Sequence, residues 1–166
     1  MAQFLMTIGV SGSGKSTYLK KFPKEGIVCP DDIRKELTGD ISDQTQNARV
    51  WAVAKERILE RLSKGQDVVL DATNTVSKYR KQFLDDIPKD VELVAIVLPL
   101  PNLAEAFKRI QKDIMEGKDR SNVPFDVIQR QADSYTNGLV NVKDQFDRII
   151  FLKEDLTEMI ITGTNK

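Results

Sequence analysis

The 166-residue chain predicts an α/β fold, a five-stranded, mostly parallel sheet with helices on both faces. Three observations predict it. Short apolar segments of strand length alternate with longer stretches whose apolar residues recur every three or four positions. Glycines and prolines punctuate the boundaries between them. The first strand-like segment runs straight into Gly9-Val10-Ser11-Gly12-Ser13-Gly14-Lys15-Ser16, a glycine loop that opens a helix. The length suits one domain over residues 1–166, and no repeat, low-complexity tract or linker divides it.

Gln3–Ile8 reads as the first strand, and Thr17–Phe22 continues the helix after the loop. Gly26–Cys29 is a second short strand that Pro30 ends. Asp31–Leu37 starts like a helix, with acids in its first turn, and Thr38-Gly39-Asp40 breaks it. A long helix is expected from Asp43 to about Lys64, with Trp51, Ala54, Ile58 and Leu62 on one face. Asp43 and Gln46 read as its capping pair and Gly65 as its stop. Trp51 fits core packing better than base stacking.

Asp67–Ala72 is a third strand, apolar enough in its middle to be covered on both faces. Thr73–Val76 is a loop, and Ser77 caps a helix with Tyr79, Phe83, Leu84 and Ile87 on one side. Val91–Leu98 is a fourth strand. After Pro99-Leu100-Pro101, Asn102 and Glu105 cap a helix that turns Leu103, Ala106, Phe107, Ile110 and Ile114 inward. The polar stretch 116–122 follows, Pro124 marks a helix start, and Ile128, Ala132, Tyr135 and Leu139 give that helix its face. Arg148–Leu152 is the fifth strand. A short helix over Asp155–Ile161 is expected to close the domain, with a frayed tail from Thr162.

The glycine loop carries the first chemistry. Gly12 and Gly14 let the backbone turn sharply so that its N–H groups surround an anion. The helix start directs its positive end to the same point. Lys15 brings a mobile charge to the outer phosphates of a nucleotide, and the Ser16 hydroxyl suits a Mg²⁺ that bridges them. Ser11 to Thr17 are thus the candidate nucleotide-binding residues, on the pattern of the P-loop NTPase fold.

Composition narrows the rest. The 25 basic residues balance 25 acidic ones, which argues against broad wrapping of nucleic acid but not against a local groove. Histidine is absent, so a general base must be a carboxylate or a lysine. Cys29 is the single cysteine and fits a small buried residue at a strand end better than a reactive thiol. The first residues are strand-like and lack a basic flank, and no apolar run is long enough to cross a bilayer. A cytoplasmic protein without a membrane partner is expected.

In parallel sheets, ligands gather at the carboxyl ends of the strands. That edge brings together the glycine loop, then Asp31, Asp32 and Arg34, then Asp71, Thr73 and Asn74, and the basic stretch from Arg109 to Arg120. A phosphate site flanked by acids and arginines suits phosphoryl transfer to a hydroxyl. Several residues keep two readings. Asp31 and Asp32 also serve as ordinary helix-start acids. Asp71 reads as a metal-side acid or a strand-end turn former, and Thr73 and Asn74 as site or turn residues.

The chain resembles the 5′-hydroxyl polynucleotide kinases, both the phage kinase domain and the bacterial end-healing kinases. The likeness runs through Thr7-Ile8-Gly9 into the glycine loop, Pro30-Asp31-Asp32-Ile33-Arg34, Val69-Leu70-Asp71-Ala72-Thr73-Asn74 with Arg80 downstream, and Val123-Pro124-Phe125-Asp126-Val127-Ile128. It implies the sheet order of nucleoside monophosphate kinases. It also implies ATP and Mg²⁺ at Lys15 and Ser16, with Asp31 as general base on a 5′-hydroxyl of RNA or DNA. Arg34 would hold the neighbouring phosphate of the acceptor, with Thr73; Asp71, Asn74 and Arg80 complete the substrate set. Arg109 and a second lid cation, Arg120 or Lys118, would reach the donor phosphates. Ala72 stands where some members carry an acid. The family often couples this kinase to phosphatase or ligase domains, for which the chain has no room, so these are expected as separate partners; a homo-oligomer stays open.

Two other readings remain. A P-loop kinase of a small-molecule hydroxyl has less need of Arg34. A nucleotide-binding module without transfer has no need of Asp31.

Overall fold

A computed structural model describes residues 1–162. Six strands form one sheet in the order β2-β3-β1-β4-β5-β6. They are β1 (Gln3–Ile8), β2 (Ile27–Val28), β3 (Val68–Leu70), β4 (Glu92–Val97), β5 (Arg148–Leu152) and β6 (Glu158–Thr162). The first five are parallel, and β6 adds on antiparallel to β5. The helices are α1 (Lys15–Leu19), α2 (Pro30–Thr38), α3 (Asn47–Ser63), α4 (Ser77–Leu84), α5 (Leu103–Met115), α6 (Phe125–Gly138) and α7 (Val142–Gln145).

Alternation along the strands builds two cores. Phe4, Met6, Ile8, Val68 and Leu70 face a layer that includes Val50, Ala54 and Ile58 of α3, Phe83 of α4 and Ala132 of α6. Leu5, Val69, Val94, Ile96 and Ile150 face the other way, against Tyr18 and Leu19 of α1. A strand buried on both faces needs apolar residues at successive positions, as β3 and β4 have.

The expected closing helix at Asp155–Ile161 is instead a hairpin arm. The Asp155 carboxylate accepts the N–H and hydroxyl of Thr157, and Leu156 takes a left-handed φ of 65° at the turn. β6 then pairs Met159 with Phe151 and Ile161 with Ile149. The pairing supplies the partners that a five-stranded edge would leave unmade. The expected tail begins at Thr162, the last residue of β6, and otherwise falls on residues 163–166, outside the described residues.

Four smaller expectations shift. α3 starts at Asn47, because Asp43 bonds Thr45 in a local turn and caps no helix. Its buried stripe is Val50, Ala54, Ile58 and Leu62, which leaves Trp51 37% exposed with its edge on Phe83. Ser77 is the first residue of α4 and accepts hydrogen bonds from Asn141 and Gln145. Tyr79 points outward, and the buried residue beside it is Arg80. The Asn102 cap holds, accepting the Glu105 N–H at 3.1 Å. Among the described residues, no helix is long and apolar enough to cross a membrane.

Candidate active site

β1 delivers the glycine loop to the carboxyl edge of the sheet, where neighbouring groups fasten it. The Gly9 N–H donates to Thr73 O at 3.0 Å. The Lys15 ammonium donates back to Gly9 O at 3.1 Å and Val10 O at 2.7 Å. Gly12 has φ 79°, and a Cβ there would lie 2.8 Å from Ala106 O on α5, so the loop and α5 touch only because the side chain is absent. Burial pulls the Lys15 ammonium down to about 8, against the opposing charge of Asp71, with Arg120 adding to the fall.

A cleft of about 720 Å³ opens over this loop. It is lined by Ser11, Gly12, Gly14, Lys15, Ser16 and Thr17 on the loop, Asp31 and Asp32 on α2, Asp71 and Thr73 after β3, and Arg109 and Arg120 on the lid side. Thus the four clusters expected on one edge do meet. Ser13 is buried, and its hydroxyl has no hydrogen-bond partner among the described residues.

Pro30 at the first position of α2 fixes the direction in which the helix leaves β2. Asp31 stands half-exposed in the cleft, and its Oδ1 accepts from Arg34 Nη1 at 2.5 Å. Arg34 itself is buried, and its Nε and Nη2 donate to Asn47 Oδ1 at 3.3 and 3.1 Å. Hence Arg34 lies behind Asp31 and outside the lining of the cleft, where the resemblance had it grip an acceptor phosphate. One turn of helix separates the two residues, so the fork steers the carboxylate from below.

Asp71 faces the loop from the end of β3. Burial raises its carboxyl, Lys15 opposes the rise, and Asp31 and Asp32 add to it. Burial, then the charges of Asp31, Glu36 and Asp119, raise Asp32 as well. Thr73 reaches the cleft, but Asn74 does not line it. Asn74 has φ 48° and donates to Thr7 O at 2.8 Å, clamping its turn to β1.

Arg80 is also spent elsewhere. It is 2% exposed and donates to Asn74 O at 2.9 Å, Gly138 O at 2.6 Å and Gln145 Oε1 at 2.9 Å. Burial alone brings it down to about 10. It joins three elements and contacts the cleft only through the turn it holds. Cys29 does line the cleft, but burial pushes its thiol up to about 12, which keeps it protonated and unreactive.

The lid side consists of α5 and the stretch before α6. Arg109 Nη1 donates to Gly12 O at 2.7 Å, and Arg120 Nη1 to Asp113 Oδ2 at 2.8 Å. Arg109 thus touches the loop directly, while Arg120 and Lys118 line the same cleft from the far side. The stretch between α5 and α6, where the lid was expected, is tied across the cleft mouth by an ion pair from Lys35 on α2 to Asp119 and by the Asn122 N–H on Ser42 Oγ at 3.3 Å. Two residues have no local signal in the sequence: Asn47, which holds Arg34, and Gln131, whose Oε1 accepts the Ser11 N–H at 2.9 Å.

Comparison with known proteins places this geometry. Residues 4–137, most of the chain, match a family described as AAA domain. No curated protein matches. A chain of the Pnkp1/Rnl/Hen1 RNA repair complex superposes with a TM-score of 0.71 at 18% identity, covering 99% of this chain and 49% of that one. In a second structure of the Pnkp1/Rnl/Hen1 complex the TM-score is 0.57 at 25% identity, over 65% of this chain and 38% of that one. The chain thus spans about half or less of the length of those two. Deoxyadenosine kinase from M. mycoides, with bound dATP, gives a TM-score of 0.53 at 16% identity over 93% of this chain and 92% of that one. The chain belongs to the AAA domain family, and its fold is that of the P-loop kinases.

Proposed function

We propose that the chain transfers the γ-phosphoryl group of ATP to the 5′-hydroxyl end of a nucleic acid. The observation that carries this reading is the meeting, in one cleft, of the Lys15 loop with an aspartate held on an arginine. Asp31 takes the proton of the acceptor hydroxyl as its oxygen bonds to the γ-phosphorus. The bond from that phosphorus to the β,γ-bridging oxygen breaks, and ADP leaves with the electron pair. Lys15, Arg109 and Arg120 meet the charge on the phosphoryl oxygens. The hydroxyl of Ser16 and the carboxylate of Asp71 are oxygen donors that suit Mg²⁺, which keeps most of its shell for water and phosphate. When bound there, that ion would neutralise charge between the outer phosphates.

Arg34 takes a different role from the one its motif implied. With its fork committed to Asp31 and Asn47, it orients the base. The likeness to chains of an RNA repair complex supports a nucleic acid end as acceptor and repair proteins as partners. One observation favours a second reading. An arginine turned away from the cleft leaves an acceptor without a phosphate clamp, which suits a small-molecule alcohol. Labelled-phosphate transfer from ATP separates the two. Transfer to 5′-hydroxyl oligonucleotides at rates well above those to nucleosides and sugars supports the first; label on small alcohols alone leaves only the second.

A further inference from the structure

Gln131 sits in the second turn of α6, the helix that begins where the lid stretch ends. It reaches back across 120 positions of sequence to accept the Ser11 N–H at 2.9 Å. The rest of the first half of the loop is held from other sides. Thr73 O takes the Gly9 N–H, Lys15 takes the Gly9 and Val10 carbonyls, and Val10 O also takes the Ser13 N–H at 3.2 Å. Only the Ser11 contact among these comes from the helix behind the lid.

α6 is a firm post for such a contact. Ile128 and Ala132 are buried, the Tyr135 hydroxyl donates to Leu98 O at 2.6 Å, and Arg80 holds Gly138 O. A glutamine carbonyl on that post sets how far the loop stands from the helix that carries the lid. A residue that merely filled space there would need no acceptor atom.

We propose that Gln131 is a positioning residue for the phosphate loop. Its carbonyl fixes Ser11, so the second half of the loop, Gly12 to Thr17, meets the phosphates in a preset shape. Holding the loop ready removes an ordering cost from nucleotide binding. The loop and the lid thereby share one anchor, with no contact from Gln131 to the substrate. The proposal rests on nucleotide binding at the loop and is independent of which alcohol receives the phosphoryl group.

The test is ADP affinity, measured by calorimetry on the whole chain, beside the melting temperature. Gln131→Met keeps the volume and removes the acceptor. It should weaken ADP binding about fivefold, the size of one neutral hydrogen bond, with little change in melting. Ser11→Pro removes the same bond from the donor side; Ser11 has no left-handed φ for proline to oppose. In the Ser11→Pro background, Gln131→Met should cost no further affinity. Gln131→Ala, which adds no bulk, should show the same dependence on background. Unchanged ADP affinity, or equal losses in both backgrounds, would overturn the proposal. A drop in melting temperature with affinity intact would make Gln131 a packing residue and overturn it too. Failure of the acceptor assignment shows up in the transfer assay and leaves these affinities untouched.

Discussion

The two halves of the cleft are built by different means. On the proposed reading, the donor half is mostly backbone: glycines at positive φ, carbonyls that cage Lys15, and a turn after β3 that takes the Gly9 N–H. The acceptor half is side chains: Asp31 on Arg34, Arg34 on Asn47, and Lys35 on Asp119 across the mouth. A backbone cradle is stiff and indifferent to what it holds beyond the phosphates. A chain of side chains can be retuned one residue at a time. The difference suggests a fixed nucleotide site joined to an adaptable acceptor site, and each substitution below presses on one half.

Apart from the base itself, the largest effect belongs to the donor half. Lys15→Ala should lower transfer by about 10³-fold, the scale of removing a charge aimed at the transition state, and should weaken nucleotide binding with it. Kinetics and ADP calorimetry together check both arms. Arg80→Ala should leave transfer chemistry in place but cost about 2–4 kcal/mol of stability, because the carbonyls of Asn74 and Gly138 lose a buried donor. Urea unfolding measures that.

On the acceptor side, Arg34→Ala should slow transfer roughly 10- to 100-fold through loss of a charged hydrogen bond to Asp31. ADP affinity should stay the same, which is what separates the halves. A loss of ADP affinity in this variant would merge them.

Acidity sharpens the comparison further. Burial holds Lys15 near 8, so the charged form prevails below that pH and is lost above it. Nucleotide affinity should therefore fall as pH rises past about 8, by at most about tenfold per pH unit. Lys15→Arg, which keeps its charge throughout, should abolish that inflection in an affinity titration. The smallest effect is at the mouth. Lys35 and Asp119 are both well exposed, and such pairs contribute about 1 kcal/mol or less. Lys35→Ala should change the acceptor KM no more than about fivefold, most visibly at low salt.

The same division explains what the sequence disclosed. The donor half is local, so Gly12, Gly14, Lys15 and Ser16 announce it within eight residues, and strand order then brings in Asp31, Asp71 and Thr73. The acceptor half depends on which way side chains turn. Nothing near Arg34 or Arg80 says that both forks face inward, since burial of a guanidinium is decided by partners such as Asn47 and Gly138. Gln131 was illegible for the same reason, with its partner in another part of the chain. β6 was misread as a helix because its apolar residues cluster without strict alternation, and only the presence of β5 decides between the two. On α3 the expected face held at Ala54, Ile58 and Leu62, and only its first member differs, with Val50 inside where Trp51 was expected.

The central claim is that Asp31 removes the proton of an acceptor alcohol while the loop holds ATP by itself. Asp31→Asn keeps the shape of the side chain and can still accept from Arg34. Transfer from ATP to a 5′-hydroxyl oligonucleotide, measured at saturating nucleotide, should fall 10²- to 10⁴-fold, with ATP affinity within about twofold of the unaltered chain. Transfer that continues at the original rate, or a loss that tracks ATP affinity, would contradict the account.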